Sequence, residues 1–154
     1  LTVALATLAA ACGPRGPRPV EYGHEACDYC RMTITDPRFG AQAATRTGRV
    51  HTFDSIECLA SYATAQAPDA LRGLWVSDYA HPGTFVAVDS ATFWRVPAGA
   101  GAAPASPMGL GLLATAIPAS PAAGAGVVGP MRWADVQALV AREAMERRGA
   151  THAH

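Results

Sequence analysis

The chain contains no lysine and no asparagine, has only 7% aromatic residues, and carries no net charge: twelve basic residues, all arginine, balance twelve acidic ones. A balanced chain without a basic block lacks the electrostatic footprint of a nucleic-acid binder, so no nucleic acid is expected among its partners. The exclusive use of arginine together with abundant alanine reads as the codon bias of a GC-rich coding sequence, which lowers the functional weight of any single arginine. No apolar run approaches the ~20 residues that a membrane-spanning helix needs. What remains is 154 residues, 50% of them hydrophobic, enough for one folded domain.

The first eleven residues form a weakly apolar stretch ending in Leu8-Ala9-Ala10-Ala11-Cys12. Such a run suits the hydrophobic region of a signal peptide, and small residues just before a cysteine resemble a bacterial lipobox. Residues 1–11 are therefore expected to be a signal peptide and Cys12 the lipidated residue of an exported, membrane-anchored protein. An ordinary secretory signal is the alternative, and it too implies export. Export changes how the other three cysteines read, because an oxidising compartment permits disulfides while three thiols cannot all pair.

Residues 12–20, with three prolines and two glycines among 13–20, disfavour helix and strand and suit a tether. The folded part is expected over 21–149, as two halves of about 21–80 and 81–149, with 150–154 a tail. A short strand is predicted at Met32–Ile34, and Gln42–Thr45 with Arg49–Phe53 reads as a hairpin around Thr47-Gly48. The period then changes: Asp54-Ser55-Ile56-Glu57 has the pattern of a capped helix start, with Asp54 capping and Glu57 reaching back. Ile56, Leu59, Ala60 and Ala63 fall on one helical face. Further strands are expected at Leu74–Tyr79, Thr84–Val88, Thr92–Val96 and within Met108–Ile117, with a loop over 97–107. Trp133, Val136, Leu139, Val140 and Ala144 recur at helical spacing, Glu143 and Arg147 form an i,i+4 pair, and Gly149 is placed to end that helix.

The chemistry concentrates in His24-Glu25-Ala26-Cys27-Asp28-Tyr29-Cys30-Arg31-Met32. Two thiols, a thioether two residues beyond the second, and an imidazole three residues before the first make a mainly soft donor set. Polarizable sulfurs favour Cu(I), and zinc sites do not recruit methionine. By itself Cys-x-x-Cys also serves redox enzymes, zinc knuckles and plain disulfides, and Met32 also reads as a core residue. Cys58, in the first turn of the predicted helix, reads as a small buried residue or as a thiol acidified by the helix end. His51 and His81 read as hydrogen-bonded histidines rather than ligands.

Taken together, the motifs resemble those of the NosL family of nitrous oxide reductase accessory lipoproteins. Cys27-Asp28-Tyr29-Cys30-Arg31-Met32 and Phe39-Gly40-Ala41-Gln42 are similar to that family's opening segments, and Phe53-Asp54-Ser55 to its Phe-x-Ser. Val76-Ser77-Asp78-Tyr79, Val88-Asp89-Ser90-Ala91 and Ser106-Pro107-Met108-Gly109 match its later motifs. The resemblance implies an α+β fold of two small ββα-type halves, distantly similar to part of the organomercury lyase fold. It also implies a periplasmic protein without catalytic activity that holds Cu(I). The copper would go to the copper-sulfide site of nitrous oxide reductase through the Nos ABC-transporter-like assembly complex. Carried over, Cys30, Met32 and Met108 are the ligands, with Cys27 and His24 as additions.

Two departures stand out. The family usually places glycine between its cysteine and methionine, where Arg31 stands here, which puts a cation beside the thiolate. Residues 117–130 hold three prolines and three glycines where the family carries a helix, so that helix is expected to be short or absent. The competing functions are an exported thiol-disulfide oxidoreductase using Cys27 and Cys30, and a structural domain in which these two form a disulfide. Only copper binding needs the distant thioether of Met108.

Overall fold

The computed structural model describes residues 16–96, 106–119 and 126–151. Cys12, the signal-like run and most of the 97–107 segment lie outside them. The predicted hairpin forms from β1 (Ala41–Thr45) and β2 (Val50–Phe53), antiparallel with Ala44 opposite Val50. Gly48 closes the turn at φ 92° and donates its N–H to the Thr45 carbonyl at 3.0 Å. At Met32–Ile34 no full strand develops, and Thr33 makes an isolated bridge to Ala26.

Helix α1 (Ile56–Thr64) follows β2 directly. Its cap is Ser55, in extended backbone, with the hydroxyl accepting from the Cys58 N–H at 3.2 Å. The expected roles of Asp54 and Glu57 are thereby corrected. With the cap shifted one residue, Cys58 occupies the third helical position, and Glu57 is out of register for a reciprocal capping bond. Both carboxylates serve other partners.

β3 (Leu71–Ser77) and β4 (Phe85–Ala87) complete a four-stranded antiparallel sheet in the order β2-β1-β3-β4. β5 (Thr92–Arg95), β6 (Leu112–Thr115) and β7 (Val128–Met131) make a second in the order β6-β5-β7, followed by α2 (Trp133–Thr151). The fold is thus α+β, two small antiparallel sheets and two helices. In the described part of the glycine- and proline-rich segment, β7 stands where the family's helix was in question. Pro130 is tolerated because β7 lies at a sheet edge, where a missing N–H breaks no central ladder.

One apolar cluster joins both sheets and both helices through Ile34, Phe53, Leu59, Val76, Phe93, Leu112 and Val136. Each side chain of this size contributes roughly 1.5–3 kcal/mol on full burial, so the two sheets stand on one shared core. One expectation for α2 changes. The helix passes through Gly149 to Thr151, since one helical glycine costs only about 1 kcal/mol and does not by itself end a helix. Glu143 accepts from Arg95 of β5 at 3.2 Å, which ties α2 to the second sheet. On the first sheet Gln42 is fully buried, and its amide exchanges two hydrogen bonds with the Arg18 backbone, at 2.9 and 2.6 Å. Arg18 also forms a 2.6 Å ion pair with Glu25, which fixes the approach to the cysteine segment.

Candidate metal centre

Residues 27–32 close into a knuckle. The Cys27 N–H donates to the Met32 carbonyl at 2.8 Å, the Arg31 N–H to the Cys27 carbonyl at 3.0 Å, and the Cys30 N–H to Cys27 Sγ at 3.5 Å. This closure puts Arg31 at φ 69°, among the described residues the only non-glycine with positive φ. The position where the family usually carries glycine therefore keeps a left-handed backbone here, at a cost of about 1–2 kcal/mol for an L side chain. The guanidinium does not sit on the thiols: it is 77% exposed and lies 3.9 Å from Asp28. Asp28 docks the knuckle on β2, its N–H donating to the Thr52 carbonyl at 2.9 Å and its carboxylate meeting His51 Nδ1 at 2.8 Å. His51 is thus a hydrogen-bonded histidine, as is His81, paired with Asp78 at 2.8 Å.

The docked knuckle presents its thiols to the start of α1. There Cys27, Cys30, Cys58 and Asp54 converge, one donor atom from each lying within 4.8 Å of all the others. Cys27 and Cys58 have no exposure, Asp54 is 3% exposed, and Cys30 is half-buried at the outer side. The Cys30 thiol donates to Asp54 Oδ2 at 3.4 Å, while Asp54 Oδ1 is buried with no hydrogen-bond partner. All three cysteines are free thiols.

These thiols share their protons unequally. Cys27 is drawn down to about 6, first by the hydrogen bond from Cys58 and then by backbone N–H groups, against its burial. Cys30 is pushed up to about 11, chiefly by desolvation and also by the neighbouring Cys27. Cys58 is pushed up because it keeps its proton in donating to Cys27, and by burial. Of the three thiols, Cys27 is thus the one most readily ionised.

The two candidate methionines differ in their settings. Met32 is 54% exposed at the end of the knuckle, and Met108 is half-buried against the same core as Cys30. Met108 rides on the turn 106–111, and that turn is fastened to α1. Glu57 Oε1 accepts from Ser106 Oγ at 3.0 Å and from the Leu110 N–H at 3.3 Å, while Ser106 Oγ accepts from the Gly111 N–H at 2.9 Å. Glu57 precedes Cys58 in the first helical turn, so one short segment holds both the buried thiol and the methionine turn. Burial raises the Glu57 carboxyl above its ordinary range. Met108 and Tyr29 line one groove beside α2, with Glu57, Ser61 and Val140. His24 is exposed, its backbone N–H bonded to the Glu21 carbonyl, and it is not part of the thiol cluster.

The structure thus brings Cys27 and Cys30 together and adds Cys58 and Asp54, which the sequence reading had treated as a buried residue and a helix cap. The one signal for Cys58 was the odd thiol count, which required at least one cysteine to stay free or bind something; nothing in the sequence singled out Asp54 as a donor. Three sulfurs and a carboxylate in a pocket of this size can hold a metal ion. No curated protein and no solved structure matches the chain. A family model described as NosL matches residues 19–144. That match runs from the segment ahead of the knuckle through both sheets and most of α2, and so the chain belongs to the NosL family, which points to a copper-related role.

Proposed function

We propose that this protein is a Cu(I) chaperone that supplies copper for assembly of the copper-sulfide active site of nitrous oxide reductase. It acts from the periplasmic face of a membrane to which lipidated Cys12 anchors it, and passes copper on through the Nos ABC-transporter-like complex. Cys30, Met32 and Met108 are the core ligands, with Cys27 or His24 completing the set. The observation that carries this reading is the cluster of thiols that Cys58 of α1 joins, next in sequence to Glu57, whose carboxylate holds the turn that bears Met108. A thiolate fixes Cu(I), while neutral thioethers bind more weakly and leave it exchangeable, which suits delivery. Met32, exposed at the knuckle, supports transfer to a partner without unfolding. Full burial of Cys27 weighs against the oxidoreductase reading, because a redox nucleophile must be reached by its substrate.

Anaerobic titration of the reduced protein with Cu(I) and a competing chelator tests the binding step. One Cu(I) per chain is expected, weakened in Cys30→Ser and Met108→Ala, and unchanged affinity in both variants sinks the assignment. Delivery is tested by deleting the gene in a nitrous-oxide-respiring host at limiting copper. Reductase protein lacking its copper-sulfide cluster is expected, and fully loaded reductase rejects the role. For the anchor, Cys12→Ser protein should leave the membrane fraction, and unmodified mass in the wild type refutes lipidation.

A further inference from the structure

We infer that Cys58 and Asp54 turn the knuckle's thiol pair into a closed four-donor centre for a divalent tetrahedral ion, Zn(II), which shares Cys27 and Cys30 with the Cu(I) donor set but replaces its methionines by Cys58 and Asp54. The geometry is close to what such an ion needs. Tetrahedral zinc with ~2.3 Å bonds to sulfur sets its thiolates about 3.8 Å apart. The four donors already lie within 4.8 Å of one another, and Cys30 Sγ and Asp54 Oδ2 are 3.4 Å apart. Closing onto an ion takes side-chain movements of about 1 Å or less, within rotamer adjustment.

Donor chemistry and charge separate the two metals. Three thiolates and a carboxylate leave two net negative charges around a divalent ion, the balance of an ordinary four-cysteine zinc site, but three around Cu(I). The extra charge is costly where Cys27, Cys58 and Asp54 are excluded from water. A carboxylate oxygen is also a poor donor for Cu(I) and a good one for Zn(II). Asp54 Oδ1, buried without a partner, is an acceptor that the metal-free protein leaves unused. The site is held from three sides: Cys30 N–H bonds Cys27 Sγ, Asp54 follows directly on β2, and Cys58 is fixed by its own N–H to Ser55. Cu(I) has no need of this inner pair, since two sulfurs from the knuckle and a thioether suffice for a low-coordinate soft ion.

The inference does not rest on the copper reading, and one set of proteins tests both. The full chain, reduced and metal-free under anaerobic conditions, is titrated with Co(II) as a spectroscopic probe and then with Zn(II). Tetrahedral d–d bands, sulfur-to-cobalt charge transfer and displacement by one equivalent of Zn(II) are expected. Losing one thiolate of three in Cys58→Ser removes about a third of the charge-transfer intensity and weakens Zn(II) binding by at least about 100-fold. Asp54→Asn, a near-isosteric change that keeps the thiols, is expected to weaken Zn(II) about tenfold or more. Cu(I) affinity in both variants should stay within about threefold of wild type, and Met108→Ala should show the reverse pattern, with Co(II) spectra intact. Octahedral Co(II) spectra in the wild type, or Zn(II) affinity unchanged in Asp54→Asn, overturn the proposal while leaving Cu(I) binding untouched. Loss of Cu(I) in Cys58→Ser equal to its loss of Zn(II), with far-UV circular dichroism unchanged, also overturns it, because the two metals then share one donor set.

Discussion

Replacing Arg31 by glycine should make the metal-free protein more stable, an unusual expectation for a residue within a metal motif. Arg31 sits at φ 69°, where an L side chain costs about 1–2 kcal/mol. Glycine removes that cost but gains freedom in the unfolded chain, worth about 0.5–1 kcal/mol in the opposite direction. The charge contributes almost nothing: the guanidinium is 77% exposed and 3.9 Å from Asp28, so that pair is screened by water. The net expectation is a gain of about 0.5–1 kcal/mol, or roughly 1–4 °C in Tm for a chain of this size. Urea denaturation of reduced protein in the presence of chelator, followed by tryptophan fluorescence, should show a higher midpoint at unchanged slope. Arg31→Ala is the control, since it removes the charge but keeps the Cβ; it should stay within about 0.5 kcal/mol of wild type. If glycine stabilises no more than alanine does, the knuckle backbone is not strained at this position and the reasoning fails.

Other expectations follow from neighbouring contacts. Ser55→Ala removes the cap on the Cys58 N–H and should cost about 1 kcal/mol, read as a lower urea midpoint; a change under about 0.3 kcal/mol shows the cap to be idle. Glu25, held down to about 2 by Arg18 and by the Glu21 N–H, lends stability that is fully present above its ordinary 4.5 and lost as pH falls toward 2. Glu25→Gln should therefore cost about 1–2 kcal/mol at pH 7 and flatten the stability profile between pH 4.5 and 2; an unchanged profile assigns the acid sensitivity elsewhere. Because Cys27 is held near 6 and Cys30 near 11, binding Cu(I) between them should release one proton. Apparent affinity should then rise about tenfold per pH unit between roughly pH 7 and 9 and fall more steeply below 6, and a flat profile in competitive titration excludes Cys30 as a thiolate ligand.

Much of this molecule was written locally and could be read without its fold. Thr47-Gly48 fixed the hairpin because a tight turn needs a residue that accepts positive φ, and α2 announced itself through apolar spacing that only a helix places on one face. The cysteine and methionine motifs were equally legible, since their ligand chemistry depends on residue type and short spacing. The left-handed position after Cys30 was not legible: Arg31 in place of glycine pointed to a different turn, and only the structure shows that arginine keeps the positive φ. The capping assignment slipped by one residue, because Asp54 and Ser55 are both good caps and their tertiary partners chose between them: Asp54 faces the Cys30 thiol, leaving Ser55 for the helix. Only the tertiary structure brought Cys58 and Asp54 to the knuckle. Their meeting depends on the Asp28 N–H reaching Thr52 and on the way β2 runs into α1, contacts between segments more than twenty residues apart. The same holds for Glu57, whose carboxylate finds the turn around Met108 some fifty residues away. Sequence patterns record what each short segment prefers; which segments share a buried pocket is decided by the core that packs them, and that information is spread over the whole chain.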